Sequence, residues 1–354
     1  MPKSRSFNVK RLFFTQRLTD AMAGIYRHAL TVVEAPMGYG KTTAVREHLA
    51  KTDVPVNWQR VFDASPDSFW QGFASRLGQW DKDCAQSLLQ LGLPTDGILL
   101  QEALLIIAGA DLPASFVLVI DDYHLIESPT IDRFVEVVAA SEIPGLHLVL
   151  IARYIALPAA EEFALKNILH SIPKDCFELA PQEIAAYYQA CGLSISGEDA
   201  ERLYALTEGW ISALYLKLLD FVAEGSFSNA ANIYRLLEKA VFAPLSDETK
   251  ELLLCLCVFD GFTLEQALYM SKNPNSGSLL TDIISRNIFV HFEAKTRVYI
   301  VHQLFVKFLA EIFASRSSEY KHAVYQAAAR WCLQNQDYST ATQFFYLCGD
   351  FDNL

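Results

Sequence analysis

Ala35-Pro36-Met37-Gly38-Tyr39-Gly40-Lys41-Thr42-Thr43 is the stretch on which the fold turns. An apolar, β-branched run at 31–35 leads into it and a helix-forming run at 44–50 leaves it. Strand, glycine loop and helix thus follow in the order that a phosphate-binding loop requires. Glycines at 38 and 40 let the backbone turn its N–H groups toward phosphate oxygens, and the helix adds its positive N-terminal end. On this reading Gly38, Tyr39, Gly40, Lys41, Thr42 and Thr43 hold the phosphates of a nucleotide such as ATP or ADP. Lys41 would reach the β- and γ-phosphates, and the Thr42 hydroxyl would serve Mg²⁺. Ala35 stands where the strict pattern has its first glycine, ahead of the point where the loop closes.

A second element answers the first. Phe116-Val117-Leu118-Val119-Ile120-Asp121-Asp122 is an apolar strand that delivers two carboxylates at its C-terminal end, the edge where open α/β sheets bind ligands. Asp121 is expected to hold Mg²⁺ through water, and Asp122 to orient or deprotonate an attacking water. Arg153 ends the next apolar run and can meet charge on a γ-phosphate, or else form a surface ion pair. His124 has no metal-ligand spacing and reads as a hydrogen-bonded structural histidine.

Working outward, residues 1–172 alternate β-type runs (31–35, 56–62, 116–120 and 147–152) with helical stretches, which predicts a parallel α/β sheet covered on both faces. A fifth, edge strand is expected at 176–179. Residues 173–237 read as a helical subdomain, with Ile184, Tyr187, Tyr188 and Cys191 at helical spacing and Gly192 as terminator. Residues 238–315 read as three helices and a hairpin, a winged-helix unit. Residues 316–354 read as the start of an α-helical repeat, with Gly349-Asp350-Phe351 opening a further helix and the array broken off. Residues 273–277 read as the clearest flexible loop.

Composition excludes several classes. Hydrophobic residues make up 52% and charged residues 20%, so whole-chain disorder is out. No apolar run approaches the roughly 18 residues of a spanning helix, and the start lacks a secretory leader, which predicts a cytoplasmic protein with no membrane partner. The net charge is −12, which opposes general binding to nucleic acid. Lys3, Arg5, Lys10, Arg11, Arg17 and Arg27 against Asp20 give +5 over residues 1–30 and −17 over the rest (−12 − 5). That segment is a solvated arm or a patch beside a polyphosphate. Seven cysteines, odd in number and without paired metal spacing, read as reduced thiols, with Cys255 and Cys257 as small hydrophobes of a helix core.

Taken in order, "APMGYGKTT", "FVLVIDDYHLI", the arginine of "LVLIAR", "FELAPQEIAAYY", "TEGWISALYL", "SRNIFV" and "YIVHQLFVKFLAEIF" resemble the ATP-binding transcription regulators of the LuxR type. Those are signal-transduction ATPases with numerous domains, the STAND class. The resemblance covers nearly the whole chain. It implies an ATP/ADP switch with slow regulatory hydrolysis, in which a winged-helix histidine, matched by His302, reaches the β-phosphate of ADP in the resting state. It also implies self-association when ATP-bound, a small-molecule inducer taken by a C-terminal helical-repeat sensor, and DNA contacted only through a C-terminal helix-turn-helix domain outside this chain. The chain departs from the wider class at Gly209-Trp210-Ile211, where a Gly-x-Pro motif contacts adenine, so Trp210 is either core or close to the base. Three alternatives stay open at this point: a phosphotransferase acting on an unidentified substrate, a STAND switch without DNA output, and a scaffold with a vestigial site.

Overall fold

Strands that are apolar on both faces can be buried only between layers of helix, and the first part of the chain builds that arrangement. The computed structural model describes residues 8 and 11–350, apart from 142, 226, 228–230, 260, 287, 288 and 295. Two compact units emerge, one of Lys10–Leu179 with Trp210–Ser212, the other comprising Ala180–Gly209 and Ala213–Leu354. In the first unit the elements run α1 (Gln16–Met22), β1 (Leu30–Glu34), α2 (Lys41–Leu49), β2 (Val56–Arg60), α3 (Pro66–Leu77), α4 (Lys82–Leu91) and α5 (Gly97–Ala108). They continue with β3 (Phe116–Asp121), α6 (Pro129–Ala140), β4 (Leu146–Ala152), α7 (Ala160–Leu165) and β5 (Leu169–Ile172).

The five strands form one parallel sheet in the order β2-β3-β4-β1-β5. β4 therefore separates the glycine-loop strand from the strand that carries Asp121, with Val32 opposite Leu150 and Leu118 opposite Leu148. All six residues of β3 are buried. The helices covering the sheet have sequence-level causes. α3 starts where Ser65 accepts a hydrogen bond from the Ser68 amide and Pro66 occupies the first turn. Its Phe69, Trp70, Phe73 and Leu77 line one face, and the Phe73 and Trp70 rings meet Phe134 of α6 edge-on at 5.0 and 5.1 Å. Each such side chain contributes about 1.5–3 kcal/mol by leaving water. β2 is an edge strand with a polar inner face: Asn57 Nδ2 donates to the Arg76 carbonyl and Gln59 Nε2 to that of Phe69, both at 2.8 Å.

The edge strand beyond β1 is Leu169–Ile172, not 176–179. Pro173 ends it, because a proline has no N–H to give a ladder. Lys174–Cys176 then form a 3₁₀ turn, and Phe177 and Leu179 are buried without pairing.

The second unit opens with α8 (Pro181–Ala190), α9 (Gly197–Thr207), the main part of α10 (Ile211–Glu224) and α11 (Ala231–Leu237). The winged-helix domain follows as α12 (Asp247–Leu256), β6 (Gly261–Phe262), α13 (Leu264–Ser271), α14 (Ser276–Ser285), β7 (Val290–Glu293) and β8 (Val298–Val301), with an antiparallel sheet β6-β8-β7. α15 (Gln303–Ala314) completes the winged-helix domain, and the helical C-terminal region is α16 (Ser318–Gln334) and α17 (Tyr338–Cys348). Residues 273–277 are not a loose loop. Ser276 Oγ donates to the Asn273 carbonyl at 2.8 Å and lies 2.7 Å from Ser271 Oγ, and Ser276 begins α14. Burial raises the Cys255 and Cys257 thiols to about 12, which keeps them protonated and chemically quiet, and all seven cysteines are free thiols. Lys3, Arg5, Lys10 and Phe351, and Asn287 and Ile288 of "SRNIFV", lie outside the described residues. Among the described residues no helix is long and apolar enough to cross a membrane.

Candidate nucleotide-binding site

The loop between β1 and α2 takes its shape from two left-handed residues, Gly38 at φ +79° and Gly40 at φ +80°. A β-carbon on Gly38 would also stand 2.7 Å from Ser212 Oγ and 2.9 Å from Trp210 Nε1, so only glycine fits. Lys41 sits on the first turn of α2, and its ammonium donates to the carbonyls of Ala35 at 2.6 Å and Pro36 at 3.0 Å. Burial lowers its pKa to about 8, the nearby Arg153 guanidinium adds to this, and Asp122, Asp121 and Glu34 oppose it. The Tyr39 ring is buried and stacks on Trp210 at 6.4 Å, so this residue offers the loop its backbone, while the Thr43 side chain is exposed.

At the C-terminal ends of the strands, Thr42 Oγ1 donates to Asp121 Oδ1 at 2.9 Å. Burial pushes the Asp121 carboxyl above its usual range, and the hydrogen bond from Thr42 works against that. A hydroxyl and a carboxylate at this separation are hard oxygen donors of the kind Mg²⁺ uses together with phosphates and waters. Among the described residues, no group of three or more His, Cys, Asp or Glu could hold a metal alone. Asp122 follows in the left-handed region at φ +59°, which turns the chain out of the strand. Its Oδ2 accepts from Arg60 Nε at 3.1 Å. Arg153 follows β4, the strand between β1 and β3, and its backbone N–H donates to His124 Nδ1 at 3.4 Å. Burial and the positive charge of Arg153 lower His124 to about 4, so it is neutral and serves as an acceptor.

Two contributors escaped the sequence reading. Ser212 Oγ donates to the Gly38 carbonyl at 2.6 Å, across 174 positions of chain, and Ile211 approaches Gly40. Arg60 ties the end of β2 to Asp122. A basic residue closing a strand next to the carboxylate strand was the available signal for Arg60; nothing local marks Ser212.

His302 lies in the other unit, at the N-cap of α15, where its Nδ1 accepts from the Leu304 amide at 3.1 Å. The ring proton therefore sits on Nε2, which faces the Glu208 carboxylate at 3.5 Å.

Residues 237–321 match the MalT winged helix domain. Along 96% of its length the chain is 23% identical to the HTH-type transcriptional regulator MalT of Vibrio cholerae, and along 87% it is 24% identical to that of Serratia proteamaculans. It covers only 39% and 36% of those two proteins. A Walker-type ATPase of Pyrococcus abyssi superposes over 88% of this chain and 99% of its own, with a TM-score of 0.58 at 12% identity. The fold is thus that of a P-loop ATPase followed by helices and a winged helix, and the chain is similar to MalT-type transcriptional regulators.

Proposed function

We propose that this chain, with its MalT-type winged helix, is the nucleotide-dependent switch part of a transcription regulator. It rests with ADP bound, opens on binding ATP with Mg²⁺ and is reset by slow hydrolysis, and this cycle controls inducer-dependent self-association and transcription. The observation that carries the reading is the 2.9 Å hydrogen bond from Thr42 to Asp121 beside a loop held open by Gly38 and Gly40. A glycine loop or an acidic strand end alone is weak evidence, whereas their direct contact joins phosphate binding to metal binding. MalT relatives similar along nearly the whole chain support the regulatory setting. Inducer and DNA contacts are assigned to parts of such a regulator beyond the span matched here, which is 39% of the Vibrio cholerae protein.

In this reading Lys41 leaves the carbonyls of Ala35 and Pro36 and neutralises the β- and γ-phosphates. Thr42 and Asp121 hold Mg²⁺, which when bound spreads the phosphate charge. Asp122 orients the attacking water and takes its proton, and Arg153 meets the charge that develops on the γ-phosphoryl oxygens. Calorimetric titration with ATP and ADP, with and without Mg²⁺, tests the reading against Lys41→Ala. Micromolar or tighter binding that the substitution abolishes is expected; equal heats from the two proteins would reject it.

A further inference from the structure

Beside Thr42 and Asp121, on the side of the edge strand β2, lies a cavity of about 440 Å³. Its walls include Arg46, Trp58, Arg60, Phe62 and Arg76. In a chain of net charge −12, three guanidinium groups from three elements, α2, β2 and α3, line one cavity, and among the described residues the one carboxylate lining it is that of Asp121. Asp121 is already engaged by the Thr42 hydroxyl. The alternation of β2 explains part of this: Asn57 and Gln59 are buried and bonded to α3, which leaves Trp58 and Arg60 on the opposite face.

The arginines are arranged to bind an anion. Arg46 lies over the Trp58 ring at 5.1 Å from its centroid, and Arg60 over Phe62 at 5.7 Å. Stacking uses the face of a guanidinium and leaves its in-plane N–H groups for an oxygen ligand. Arg76 Nε is buried and has no hydrogen-bond acceptor among the described residues, a cost that a ligand oxygen would remove. Phe62 is 80% exposed, so its ring is a wall of the cavity and not part of the core. Lys41 and the loop glycines do not line the space, which meets the nucleotide site only at Thr42 and Asp121.

We propose that this cavity binds the phosphoryl group of a small organic phosphate, as a second anion site adjoining the metal side of the nucleotide loop. A carboxylate matches one guanidinium fork, while the oxygens of a phosphoryl group accept from three directions and carry up to two charges. The volume falls within the range of small-molecule sites, about 300–1,000 Å³, and leaves room for the organic part against Trp58 and Phe62. Arg60 would exchange its partner Asp122 for the ligand.

The whole chain, saturated with Mg-ADP to fill the loop, is titrated calorimetrically with pyrophosphate, AMP and glycerol 3-phosphate. At least one of the two organic phosphates binds the loaded protein, and the pair separates a nucleoside source from a polyol source. Arg46→Gln and Arg76→Gln each weaken that binding by about tenfold or more and leave ADP affinity and melting temperature unchanged. A variant that fails to fold is replaced by Arg→Lys, which keeps the charge and loses the fork, and the same direction of effect is required. Failure of both organic phosphates to bind, binding by pyrophosphate alone, or binding that ADP displaces and the arginine variants do not alter would each overturn the site. A chain that binds no ADP yet holds an organic phosphate in an arginine-dependent way would reject the nucleotide reading and leave this one standing.

Discussion

Lys41 carries the clearest residue-scale consequence, because a lysine at about 8 titrates within easy reach of experiment. Bound phosphates favour the charged ammonium and raise its pKa, so binding takes up a proton wherever the free group has lost one. Below about pH 8 free and bound forms are both charged and affinity is flat; above it, affinity falls by up to about tenfold per pH unit. Titration of ADP from pH 7 to 10 should show this slope, and Lys41→Ala should remove it along with most of the binding. Asp122 supplies a second test. Asn tolerates the left-handed backbone that Asp122 adopts, so Asp122→Asn should leave ATP affinity nearly unchanged. Turnover should drop about 10²–10⁴-fold if the carboxylate acts on water. Equal losses of affinity and turnover would instead mark Asp122 as part of the binding surface.

At the scale of elements, the loop from β1 to α2 depends on a three-residue segment far along the chain. Trp210 stacks on Tyr39, and Ser212 bonds the Gly38 carbonyl, so the left-handed turn at Gly38 is packed from outside as well as permitted from within. Gly38→Ala meets both the strained φ and the 2.7 Å clash with Ser212. We expect it to cost about 1–3 kcal/mol and to abolish nucleotide binding. Gly40→Ala meets only an ordinary contact, Ile211 at 3.9 Å, and suffers from φ alone. It should therefore lose less in melting temperature than Gly38→Ala, and thermal denaturation of the two variants side by side measures the difference. Equal losses would show that the packing of Trp210 and Ser212 adds nothing.

For the whole molecule, two expectations concern output. The chain carries −17 outside residues 1–30, so residues 1–354 alone should not retard duplex DNA sequence-specifically at physiological salt. A specific gel shift would overturn that view. His302 decides between switch and scaffold. Within its own unit it caps α15 and faces Glu208, while the resemblance assigns it to the β-phosphate of ADP. If it acts on ADP, His302→Ala weakens ADP by about tenfold or more and ATP less. If its work ends with the cap and Glu208, the substitution lowers the melting temperature and moves both affinities alike.

The sequence by itself determined whatever depends on short-range order. The glycine loop, its lysine and threonine, the apolar strand ending in Asp121 and Asp122, and the helical periods of the second half are all encoded within a few turns of chain. Local patterns go wrong where two segments compete for one role, as at the sheet edge. There residues 169–172 took the place expected for 176–179, because Pro173 closes the ladder. Strand order belonged to the tertiary structure: inserting β4 between β1 and β3 places Arg153 between the loop and the carboxylates. So did the contact of Ser212 with Gly38 and the gathering of Arg46, Arg60 and Arg76 around one cavity. Crossovers and long-range packing select those neighbours by the apolar surface they bury together, a property of pairs of elements that no single stretch of sequence carries.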